Sequence, residues 1–79
     1  LNGHLLKSAV ENGFSCFVTT DINLKYQQNI SQIGIAVVVL DVLLLKWSHI
    51  EPLIDKLLET LSVTKTGCVY YIKDAHNTK

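Results

Sequence analysis

Residues 35–40 read IAVVVL, six apolar side chains in a row directly after Gly34. The run has no polar alternate positions, which is the pattern of a strand buried on both faces in the middle of a parallel sheet. Helices therefore have to cover both of its sides. Upstream, residues 15–20 (SCFVTT) are β-branched and aromatic, as a strand requires, and Asp21 suits the N-cap of a polar helical turn over residues 22–29. Before that, Leu5, Leu6, Ala9 and Val10 follow the helical period. With Asn2 as cap and Gly13 as a left-handed stop, they predict a first helix over residues 2–12.

Downstream, Ile50, Leu53, Ile54, Leu57, Leu58 and Leu61 form one apolar stripe of a long helix whose far face carries Glu51, Asp55, Lys56 and Glu59. Ser48 and Glu51 have capping-box spacing, and Pro52 fits the first turn. Thr66 and Gly67 lead into a last strand over residues 68–72, and the tail from Lys73 onward reads as polar and frayed. The order helix, strand, short helix, strand, long helix, strand predicts a single α/β domain. Its three layers are a parallel three-stranded sheet and the helices flanking it, joined by two right-handed crossovers. Nothing covers the outer edge of the 15–20 strand, and an uncovered edge invites another strand.

Composition narrows the functional classes. The 79 residues are 48% hydrophobic and 18% charged, the balance of a folded soluble domain and not of a disordered tail. Seven lysines, no arginine and seven acids give a net charge of zero, so any contact with nucleic acid has to be local. A domain of this size buries only roughly 60% of its unfolded surface and gains from a staple, a metal or a partner chain. Cys16 and Cys68 lie in apolar runs without CxxC or CxxH spacing, which predicts buried free thiols. The longest apolar stretch, residues 33–45, is broken by Asp41 and falls short of the roughly 20 residues of a bilayer span. With no leader pattern at the front, a cytoplasmic location is expected. The chain begins at Leu1 and contains no methionine, which points to a piece of a longer protein.

In open parallel sheets the working site lies beyond the carboxyl ends of the strands. Those ends carry Thr19, Thr20 and Asp21, then Asp41, then Lys73 and Asp74. Three carboxylates on one rim would suit magnesium, which takes one or two carboxylates plus waters and phosphate oxygens. Aspartate is also common at strand ends because it caps the following helix. Among the histidines, His4, His49 and His76 have no ligand spacing, and His49 and His76 read as solvated. Neither Ser8 nor Ser15 has a readable acid and base partner, and Cys16 lacks an electropositive setting. Trp47, Tyr70 and Tyr71 read as packing residues, the two tyrosines on opposite sheet faces. The amide-rich turn Lys25, Tyr26, Gln27, Gln28 and Asn29 is either a solvated surface or a polar lip for a substrate backbone beside the acidic rim.

Read together, NGHLLKSAVENGF (residues 2–14), CFVTTDINLKYQQN (16–29) and IAVVVL (35–40), followed by a Trp-containing loop and a Leu-rich helix, resemble the C-terminal part of small PIN-like proteins. These are relatives of the ribonuclease toxins of bacterial toxin and antitoxin operons. The likeness spans about residues 2–72, and its most specific piece is TTD followed by INLKYQQN. It implies a parallel-sheet fold with an acidic pocket for Mg2+ or Mn2+ and metal-dependent cleavage of RNA. It also makes Asp21 a catalytic and metal-binding residue and Asn23 an assisting amide. Lys25, Gln27 and Gln28 then join Asn23 as substrate contacts, and Asp41 joins the metal site on its strand-end position. The family's first strand, with its essential aspartate, is absent from these residues, and His4 stands where many members carry an acid. The alternative is a non-catalytic interaction module with a degenerate pocket, dimerising or binding an antitoxin-like partner through the exposed sheet edge.

Overall fold

Along the chain run α1 (Asn2–Glu11), β1 (Cys16–Thr19), α2 (Leu24–Gln27), a 3-10 turn at Ile30–Gln32 and β2 (Ala36–Asp41). There follow α3 (Trp47–Ile50), a second 3-10 turn at Glu51–Leu53, α4 (Ile54–Leu61) and β3 (Val69–Lys73). The computed structural model describes residues 2–74, the side chains at positions 2, 3 and 25 aside. The capping role expected of Asn2 and the solvation expected of His76 lie outside what is described.

β2 is the middle of an all-parallel sheet of order β1-β2-β3. Cys16 pairs with Ala36 at one end of the first ladder, and Asp41 pairs with Lys73 at the far end of the second. Alternation along β2 feeds two cores. Val37 and Val39 pack with Leu6, Leu24, Ile30 and Ile35 on the side of α1 and α2. Val38 and Leu40 pack with Leu53 and Ile72 on the side of α3 and α4. Each fully buried valine contributes about 1.5–3 kcal/mol by leaving water, which is why a run without polar positions settles at the centre of three layers.

α1 ends where Gly13 adopts φ +86°. The Gly13 N–H donates to the Val10 carbonyl at 3.1 Å and the Phe14 N–H to the Ala9 carbonyl at 2.9 Å, a Schellman stop. Other sequence expectations need correction. The turn expected over residues 22–29 is helical only over Leu24–Gln27, because Gln28 swings to extended backbone. The long helix breaks into α3, a 3-10 turn and α4, with Pro52 in the turn between them. Ser48 lies inside α3, whose N-cap is Lys46 without a side-chain bond, so the capping box does not form. Lys73 belongs to β3 and Asp74 is buried, so the tail is ordered two residues farther than its polarity suggests.

The crossovers also differ from expectation. The sheet runs in one direction, yet residues 20–35 cross on the α1 face and residues 42–68 on the opposite face. Two crossovers stepping the same way on opposite faces have opposite hands, so at most one is right-handed. The handedness rule draws its force from a full helix packing back along a twisted strand, and the first connection has only the four residues of α2 and a 3-10 turn.

Candidate functional site

The carboxyl end of the sheet carries the two candidate metal ligands. Asp21 follows β1 and Asp41 closes β2, and both are half-buried. The β1–β2 offset, fixed by Thr19 opposite Val39, would set Asp21 opposite Asp41 two residues farther on. The chain leaves the strand first. Asp21 accepts the Asn23 N–H on Oδ1 at 3.0 Å, its own N–H donates to Thr19 Oγ1 at 3.1 Å, and its carbonyl accepts the Leu24 N–H at 3.3 Å. The carboxylate thus caps the turn ahead of α2, although the formal N-cap is Asn23. The Asp21 Oδ1 is committed to the local turn.

Asp74 does not join this pair. Alternation places Asp41 on the α1 face with Val37 and Val39, whereas Asp74 turns toward α3 and is 4% exposed. There its Oδ2 meets His49 Nδ1 and accepts the Leu43 N–H at 3.3 Å, while its own N–H donates to the Asp41 carbonyl at 3.0 Å. The sheet therefore divides the expected three-acid rim. His49, read as solvated from sequence, is half-buried against a buried acid. Its partner lies 25 residues away, a separation that local pattern does not report. Among the described residues, no group of three or more His, Cys, Asp or Glu side chains is placed to hold a metal ion.

The expected polar lip lies elsewhere. Asn23 stays beside Asp21, but Gln27 and Gln28 line a groove with Tyr26, Asn29, Ser31, Gly67 and Val69. Gly67 and Val69 stand at the amino end of β3, the opposite end of the sheet from Asp41 and Lys73. The Lys25 side chain lies outside the described residues. Trp47, read as a packing residue, is 63% exposed at the start of α3. Tyr70 packs in the α4-side core while Tyr71 stays partly exposed on the other face, as alternation predicts.

Both cysteines are free thiols, Cys16 half-buried and Cys68 exposed, so the burial expected of Cys68 does not occur. Burial pushes the Cys16 thiol up, against the lowering effect of hydrogen bonds to the Phe17 backbone and the Thr64 side chain. A thiol held protonated in this way is a poor nucleophile. No described helix is long and apolar enough to cross a membrane. Compared with protein-family models, curated proteins and solved structures, the chain matches none of them.

Proposed function

We propose that the chain is part of a PIN-like nuclease domain in which Asp21 and Asp41 hold Mg2+ or Mn2+ for hydrolysis of RNA phosphodiesters. The observation that carries this reading is the position of the two half-buried acids at the carboxyl ends of neighbouring parallel strands. Their chemistry fits the ion. Two hard carboxylates are the protein share that magnesium takes when waters and phosphate oxygens complete its shell. Bound there, the ion would supply charge stabilisation and a more acidic water. The chain's own part is to orient Asp21, through the Thr19 hydroxyl and the Asn23 N–H, and to offer the Asn23 amide beside it. Two free thiols support a cytoplasmic setting for this activity.

The test is a Mn2+ titration followed by thermal melting, with RNA cleavage assayed in parallel. A ligand that binds only the folded state at 100 times its Kd adds about 2.7 kcal/mol, a rise that Asp21→Asn and Asp41→Asn should each abolish together with cleavage. Unchanged cleavage in both variants overturns the assignment.

A second reading is favoured by the outer side of β1, which among the described residues pairs with β2 alone. In that reading the domain is a non-catalytic module that uses this edge to bind an antitoxin-like partner or another copy. A chain with intact folding and no response to Mn2+ would favour it.

A further inference from the structure

Asn12 and Gly13 follow the last residue of α1, and asparagine before glycine is the dipeptide most prone to lose its side-chain amide. In that reaction the Gly13 backbone nitrogen bonds to Asn12 Cγ, the Cγ–Nδ2 bond breaks and ammonia leaves with the displaced proton, which gives a cyclic imide. Water then opens the ring at either carbonyl and leaves aspartate or isoaspartate. Glycine favours the first step because it has no Cβ to hinder the approach of its nitrogen. The only co-reactant is water.

The fold holds both reacting groups. The Gly13 N–H donates to the Val10 carbonyl at 3.1 Å within the Schellman stop, so the attacking nitrogen is tied to the helix end. Asn12 Nδ2 donates to the Ser8 carbonyl at 2.7 Å and to Ser8 Oγ at 3.4 Å, which turns the carboxamide back along α1. The same Ser8 carbonyl accepts the Asn12 N–H at 3.0 Å. Cyclisation therefore has to break the side-chain bond to Ser8 and the backbone bond to Val10 together, and both lie at an exposed helix end.

We propose that Asn12 is a modification site gated by the end of α1: the closed helix end withholds it, and a local opening releases it to aspartate or isoaspartate. The inference is independent of the nuclease assignment and of the second reading. Conversion is not neutral for the fold. A carboxylate at position 12 has no hydrogen to give the Ser8 carbonyl. It also sets a negative charge beside Glu11 at the carbonyl end of the helix, where the macrodipole is already negative and the last turn of α1 holds no basic residue to offset it. Isoaspartate in addition inserts a methylene into the backbone between residues 12 and 13, which breaks the spacing of the Schellman bonds. The product thus keeps open the helix end whose opening produced it.

Two measurements on the full chain test this. The chain is incubated at one mildly alkaline pH, folded or in denaturing urea, and the peptide that holds Asn12 is followed by mass spectrometry, since residues 2–3 repeat the Asn-Gly dipeptide. Conversion of Asn12 is expected to be about tenfold or more slower in the folded chain, as befits a reaction gated by local opening. Asn12→Asp, which supplies the aspartate product directly, is expected to melt at a lower temperature than Asn12→Ala, which removes the Ser8 bond without adding charge. Equal rates in the two conditions overturn the gating. Asn12→Asp melting at or above Asn12→Ala overturns the loosening of α1.

Discussion

His49 Nδ1 meets the carboxylate of Asp74, tying the first turn after the β2 loop to the residue that follows β3. The same carboxylate oxygen holds the Leu43 N–H. One buried acid therefore fixes the start of the loop, α3 and the end of β3 together. Leu43, Leu44, Leu45 and Trp47 remain exposed around it.

Removing that acid should be costly. Asp74→Ala removes the acceptor of the Leu43 N–H and the buried partner of His49 Nδ1, a loss of about 1–3 kcal/mol at typical values for a buried group left unsatisfied. Urea denaturation of Asp74→Ala, His49→Ala and the double variant measures it. The double variant should lose less than the two single losses combined, because each single change removes the same pair. Strict additivity would mean that the pair contributes nothing.

Asp21 serves two purposes that substitution can separate. Asparagine caps a turn about as well as aspartate, whereas alanine costs about 1 kcal/mol. Asp21→Asn should therefore keep the wild-type denaturation midpoint and lose any response to Mn2+, while Asp21→Ala should lose both. A large destabilisation in Asp21→Asn would show that the negative charge itself holds the turn.

Gly13 and Gly67 share a left-handed backbone but not its surroundings. At Gly13 (φ +86°) an added Cβ meets nothing within 4 Å, so Gly13→Ala should cost only the conformational strain, about 1–2 kcal/mol. At Gly67 (φ +85°) the new Cβ would stand 3.4 Å from the Ser31 carbonyl oxygen, a close but ordinary van der Waals contact, so the same conformational strain dominates there. Thermal melting should place Gly67→Ala and Gly13→Ala close together, and a markedly larger loss in Gly67→Ala would contradict the ordinary contact with Ser31.

The thiols should differ in reactivity and in their effect on stability with pH. Cys68 is exposed and should be alkylated by iodoacetamide well before Cys16, which a timed mass-spectrometric measurement reads directly. Folding holds the Cys16 proton more tightly than the unfolded chain does, so its contribution is fully present below the ordinary thiol value of 9.0. As pH rises past that value the unfolded chain ionises first, and stability falls until the folded thiol ionises too. Relative to Cys16→Val, the wild-type chain should therefore weaken across that alkaline window.

Much of the fold was legible because it depends on local pattern. IAVVVL announced a doubly buried strand, Gly13 announced a helix stop, and the apolar spacing from Ile50 to Leu61 located the helix that covers the second face. What escaped was set by contacts distant in sequence. The pairing of His49 with Asp74 and the exposure of Trp47 depend on how the β2 loop folds over the sheet end, and no spacing in the sequence encodes that. The separation of Asp74 from Asp41 follows from strand alternation, and it was hidden because β3 extends to Lys73, beyond the expected end at Ile72. The rim of strand-end acids was thus correct as a list of residues and wrong as a cluster, since Asp74 faces the other side.

The two-sided burial of β2 also governs how the molecule opens. Neither the α1 face nor the α4 face has a core without the valines of this one strand, so the two halves cannot unfold independently. In native-state hydrogen exchange, the amides of Val37, Val38 and Val39 should exchange only through global unfolding and report the full stability of the domain. Amides of the β1 edge and the 42–46 loop should exchange through smaller openings. Because both crossovers meet only at β2, the chain must bring together segments distant in sequence before either core closes, which favours slow, all-or-none folding.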